Sequence, residues 1–123
     1  MLSLPLPVRV FLCTQYADMR RSFDGLAQMV REFLGADPLS GHLFVFRSKR
    51  GDRLKLLYWD ETGYAIWYKR LEVGNFRFPP PPEHGHAVEM RATDLAMLLD
   101  GVELESVKRR KRYRRPATAS SVT

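Results

Sequence analysis

Apolar and polar positions alternate with two different periods along this chain. Val8 to Cys13 reads Val-Arg-Val-Phe-Leu-Cys, β-branched and aromatic, which predicts a strand. A polar connection runs from Thr14 to Arg21. Phe23, Leu26, Ala27, Val30, Phe33 and Leu34 then recur at helical spacing and predict a helix over 23–34. Ser22 stands at the N-cap position, Asp24 in the positive first turn, and Gly35 just past the end. Gly25 weakens this helix unless another part of the chain needs the space there. Asp37 to Gly41 is a turn. Three strands follow, over 42–47, 53–59 and 64–71, separated by the polar spacers 48–52 and 60–63. Spacers this short join antiparallel strands, so a meander is expected. Gly74 to Phe78 reads as a candidate edge strand, ended by the polyproline run Pro79 to Pro82. Ala87 to Met90 is one more extended piece. Thr93 reads as an N-cap, Leu95, Leu98 and Leu99 as the apolar stripe of a short second helix, and Gly101 as its stop.

These elements define an α+β fold. A small antiparallel sheet, the three-strand meander plus the N-terminal strand, packs with one main helix and a short C-terminal helix. One globular domain is expected over 1–105, with a disordered basic tail over 106–123. The apolar fraction of 45%, with two Trp, five Tyr and seven Phe, suffices for one core. The single cysteine, Cys13, excludes an intramolecular disulfide and points to a reducing, cytosolic compartment. The start of the chain has no basic leader and two prolines, so it does not read as a signal peptide, and no stretch reads as a membrane helix.

Charge changes the picture more than composition does. The net charge is +6, yet residues 106–123 hold seven Lys or Arg and no acid. The remaining 13 basic and 14 acidic residues leave the body at −1. Lys108, Arg109, Arg110, Lys111, Arg112, Arg114 and Arg115 form a block that binds polyanions by counterion release, and Tyr113 can stack on an unpaired base. A solubilising tail is the plainer alternative. A second cluster, Arg47, Lys49, Arg50, Arg53 and Lys55, surrounds the first hairpin loop, where a basic ribbon tip grips phosphates or is simply a solvated turn. Arg20 and Arg21, beside Asp18, precede the first helix. They either meet a phosphate or anchor the loop through Asp18.

Several residues with chemical potential read as structural. Asp18, Asp24, Asp52, Asp60 and Glu61 are the candidate carboxylates for two-metal nuclease chemistry, but no pair is placed by spacing, and turn aspartates hydrogen-bond locally. His84 and His86 lack the further ligands of a metal site, and Cys13 lacks a histidine motif beside it. No catalytic residue, metal or cofactor is assigned. The aromatic residues Tyr58, Trp59, Tyr64, Trp67 and Tyr68 read first as core and cross-strand pairs. Both faces of the 53–59 strand are partly apolar. One face therefore packs on the first helix, and the other packs on the second helix or docks a partner protein.

Several spaced blocks carry a resemblance to a known family. They are Asp18-Met19-Arg20-Arg21 with Phe23-Asp24-Gly25-Leu26-Ala27; Asp37-Pro38-Leu39-Ser40-Gly41 with Leu43-Phe44-Val45-Phe46; Arg50-Gly51-Asp52 with Leu54-Lys55; and Tyr58-Trp59-Asp60 with Lys69-Arg70-Leu71-Glu72, Gly74, Phe76 and Pro79. In this order they resemble the TnpB accessory protein, from the second reading frame of the bacterial insertion-sequence family sixty-six. Tyr58 and Phe78 stand where that family often has Trp, and the proline run and tail lie outside its pattern. The resemblance implies a non-catalytic helper of DNA transposition, cytoplasmic or nucleoid-associated. Its implied partners are DNA, a separate transposase that performs the strand chemistry, and a second accessory protein. A protein-interaction module without direct DNA binding, and an RNA-binding protein, remain the alternatives; the sequence leaves oligomeric state open.

Overall fold

The computed structural model describes residues 8–100. Five strands, β1 (Val10–Cys13), β2 (Leu43–Arg47), β3 (Arg53–Trp59), β4 (Tyr64–Arg70) and β5 (Ala87–Met90), form one sheet in the order β4-β3-β2-β1-β5. Helix α1 (Phe23–Met29) continues as a π-helical turn over Val30–Leu34, and α2 (Ala92–Asp100) closes the described segment. The 106–123 tail and the domain boundary before it lie outside the described residues, as does the stop expected at Gly101.

The meander forms as its short spacers dictate: β2, β3 and β4 pair antiparallel in sequence order. The N-terminal strand joins differently. β1 runs parallel to β2, with Val10 opposite Leu43 and Leu12 opposite Val45. The connection between them is long enough to hold α1 and its π-helical turn, which a parallel crossover requires. β5 completes the sheet antiparallel to β1. The sheet is therefore mostly antiparallel with one parallel pair.

Each face of the sheet has its own core. On one, Cys13, Phe44, Phe46 and Leu57 pack under Leu26, Ala27, Met29 and Val30 of the first helix. On the other, Val10, Leu12, Val45, Leu54 and Leu56 pack under Leu95 and Leu98 of α2 and under Phe76. This explains why β3 is apolar on both sides: Leu57 serves one core and Leu54 and Leu56 the other. Cys13 is fully buried, and burial pushes its thiol pKa up.

Three local expectations change. Gly74 to Phe78 forms no strand, because the Phe76 N–H bonds to the Gly51 carbonyl at 2.8 Å and its ring turns into the core. Thr93 lies inside α2, which begins at Ala92, with the Leu95 N–H donating to the Arg91 carbonyl. Ser22 occupies the N-cap position of α1, but its hydroxyl makes no capping bond; its carbonyl accepts from the Leu26 N–H. Gly35 behaves as expected, with φ +58 and ψ +30, the left-handed conformation that ends many helices. A Cβ there would meet nothing within 4 Å, so the cost of Gly35→Ala is purely conformational. It is expected to lower stability by about 1 kcal/mol, read as a lower midpoint in urea denaturation.

Candidate functional site

Most candidate residues of the body lie at one end of the sheet, around the β2–β3 loop; Lys108 to Arg115 lie outside the described residues. Ser48, which is buried, organises that loop. Its hydroxyl accepts from the Gly51 N–H at 3.2 Å and from the Arg53 N–H at 3.1 Å. Gly51 has φ +79, which a side chain at this turn would strain. The segment after β4 holds the loop from the other side. The Leu71 N–H donates to the Asp52 carbonyl at 2.8 Å, and the Asn75 amide donates to the Arg50 carbonyl. The tip is therefore a preorganised turn with backbone bonds on both flanks.

Two clefts flank it. One, of about 340 Å³, lies between Ala17–Arg20 and the loop, and is lined by Arg20, Lys49, Arg50 and Arg53 together with Asp18 and Asp52. The other, of about 270 Å³, lies between the loop and residues 75–78, and brings Arg77 beside Arg47, Lys49 and Arg50. Lys49 and Arg50 thus stand on the rim of both. Among the described residues neither is paired with an acid. Positive charge left unpaired on an exposed, preorganised tip is available to a polyanion.

The other predicted residues divide sharply. Arg53 lines the first cleft and donates to the Tyr68 hydroxyl at 3.3 Å. Arg47 is half-buried between two rings, 4.7 Å from the Tyr16 centroid and 5.1 Å from that of Phe78, and among the described residues its buried Nε has no hydrogen-bond partner. Its charge is held at the cleft floor by cation–π contacts. Lys55 is the clear correction. It points inward with only 8% exposure, and its ammonium donates to the Met19 carbonyl at 2.8 Å and the Arg21 carbonyl at 2.7 Å. The Tyr68 ring lies 4.7 Å away. Lys55 secures the 18–21 loop to the sheet.

That loop is also held by Asp18. Its carboxylate accepts from the Arg20 backbone N–H at 2.9 Å and from the Arg20 guanidinium at 2.7 Å. These bonds pull the Asp18 carboxyl down to about 2. Arg21 folds back onto α1, donating to the Gly25 carbonyl at 3.3 Å, and its Cβ would lie 3.1 Å from a Cβ on residue 25. Gly25 is there to admit Arg21. Because the folded pKa of Asp18 lies below the ordinary carboxyl range, its contribution is complete above about pH 4 and is lost as pH falls toward 2. A carboxyl NMR titration is expected to place its midpoint near 2; a midpoint near 4 would mean that the Arg20 contact is absent.

Asp60, His86 and His42 are engaged in local contacts away from the tip. Asp60 caps its own turn, accepting from the Thr62 and Gly63 N–H groups, and its pKa is lowered by these bonds. His86 packs edge-on against Phe33, and His42 Nδ1 accepts from the Arg9 N–H. Among the described residues no three His, Cys, Asp or Glu side chains gather as a metal site would require, and no helix is long and apolar enough to cross a membrane. Two contributors were invisible to sequence reasoning: Ser48, a lone serine in a polar loop, and Arg77, distant in sequence from the hairpin it joins.

A family model described as IS66 Orf2-like protein matches residues 8–109. The chain belongs to the IS66 Orf2-like family. It is a transposition-associated accessory protein of such elements, a family with no known catalytic role. Two proteins from Sinorhizobium fredii are similar to this chain over most of its length. Uncharacterized protein y4jC is 41% identical over 109 residues, covering 89% of this chain and 91% of the relative. Uncharacterized protein y4hO is 41% identical over 96 residues, covering 78% and 82%. No solved structure gives a significant match. The matched span contains both cores and the whole basic tip, so membership attaches to the body of this IS66 Orf2-like protein and reaches only the first residues of its basic tail.

Proposed function

We propose that this IS66 Orf2-like protein acts in the bacterial cytoplasm as a non-catalytic DNA-binding helper of its element's transposase. The β2–β3 tip grips the phosphate backbone through Lys49, Arg50 and Arg53, with Arg20 and Arg77 at its flanks. The tail residues Lys108 to Arg115 add affinity that does not depend on sequence. Strand cleavage and joining fall to the separate transposase, on which the body docks together with the second accessory protein. The observation that carries this reading is that Lys49 and Arg50, on a turn fixed from both sides, have no acidic partner among the described residues.

Phosphate contacts of this kind give salt-sensitive binding without base readout. The reading is tested by gel shift on duplexes of the element's ends, beside pull-down with the transposase in nuclease-treated lysate. A retained duplex and a recovered transposase are expected. Recovery of the transposase without any gel shift would instead favour a protein-interaction module, and preference for RNA over duplex would favour the RNA-binding alternative.

A further inference from the structure

The two edges of the sheet are unlike. β5 is short, and its Glu89 is held in a double contact by Arg9 at 2.6 and 2.9 Å, so that edge is charged and brief. β4 is seven residues long and exposes Trp67 (42%) and Tyr68 (46%). Charged residues normally defend such an edge. Here both are drawn back into their own chain: Lys69 donates to the Leu99 carbonyl at 2.9 Å, and Arg70 pairs with Glu72 at 3.0 Å.

The bonds at either end of the β3–β4 ladder fix which groups are free. The Asp60 N–H bonds to the Gly63 carbonyl and the Leu71 N–H to the Asp52 carbonyl, so the hydrogen-bonded pairs between them are 58/65, 56/67 and 54/69. The backbone groups of Tyr64, Ile66, Tyr68 and Arg70 therefore point away from β3. Among the described residues, none of the backbone bonds outside the ladder reaches them.

We infer that β4 pairs antiparallel with β4 of a second copy, about a two-fold axis at Trp67. This register pairs the strand over its full length. It sets Ile66 against Tyr68 of the second copy and Arg70 against its Tyr64, a cation–aromatic pair. Lys69 meets the second copy's Ala65, so no basic residue faces another across the join. Both Trp67 rings meet at the axis. The same segment supplies donors and acceptors in the phase that self-pairing needs, which makes the edge self-complementary. This inference stands independently of DNA binding.

The test is the mass of the full chain by sedimentation across a concentration series, with hydrogen exchange on the same samples. A dimer at tens of micromolar is expected, with the amides of 64, 66, 68 and 70 gaining protection as it forms. Trp67→Lys, which places two like charges at the axis, is expected to give a folded monomer. Trp67→Cys is expected to cross-link under mild oxidation, because facing non-hydrogen-bonded residues lie within disulfide range. Ala65→Cys, which faces residue 69, should not cross-link, and buried Cys13 is silent. A monomeric mass at every concentration would overturn the inference. So would a dimer whose β4 amides exchange freely.

Discussion

Removing residues 106–123 is expected to cause the largest loss of DNA affinity of any change to this protein. The segment holds seven of the 20 basic residues and no acid. Each phosphate neutralised on duplex DNA contributes about 0.9 to the slope of log affinity against log salt. Full engagement of the tail therefore accounts for a slope of about 6, and the truncated chain should lose up to that amount. Because the remaining body is near neutrality, its residual binding should come from the tip alone and weaken sharply above low salt. Fluorescence anisotropy on a fixed duplex, titrated at several salt concentrations, reads both slopes. An unchanged slope after truncation would mean that the tail never meets the phosphates.

Replacing Lys55 is expected to be the most damaging single change to stability among the charged residues near the tip. Its ammonium makes two short bonds to main-chain carbonyls from a side chain with 8% exposure. Hydrogen bonds to a charged group contribute roughly 1.5–3 kcal/mol each, and losing one partner strands the other. Lys55→Met keeps the aliphatic stem but abandons the Met19 and Arg21 carbonyls. The expected loss is about 2–4 kcal/mol, a fall in Tm on the order of 10 °C or more for a domain of this size. Arg50→Ala, at an exposed and unpaired position, should stay within about 0.5 kcal/mol of the parent. Urea unfolding followed by circular dichroism separates the two. A Lys55→Met protein as stable as the parent would show that water satisfies both carbonyls.

The same residue shows where sequence reasoning stopped. The 3.6 period located both helices, whereas short spacers between apolar runs located the meander, whose β2 and β3 are buried on both faces. These patterns placed Lys55 in a strand but could not say what covers that strand, and a lysine among arginines reads as part of a solvated cluster. Only the loop crossing over β3 reveals its carbonyl partners. The parallel pairing of β1 was hidden for a related reason. Strand β1 carries no mark of its neighbour, and its direction follows from the crossover through α1. The 74–78 segment was misread because Phe76 alternates as a strand residue would, whereas its backbone bonds to a turn. The candidate site was legible in part: the Arg47 to Arg53 run marked the hairpin tip, but Arg77 and Ser48 joined it only through tertiary packing.

On the proposed reading the folded body, and not the tail alone, holds DNA. This is tested most directly by the salt dependence of duplex binding for the full chain beside the Lys49→Ala, Arg50→Ala, Arg53→Ala triple variant. An unchanged Tm and a slope shallower by about 3 are expected, three phosphate contacts at 0.9 each. An unchanged slope in a fully folded triple variant would contradict that reading, and would leave the tip of this IS66 Orf2-like protein without a role in gripping DNA.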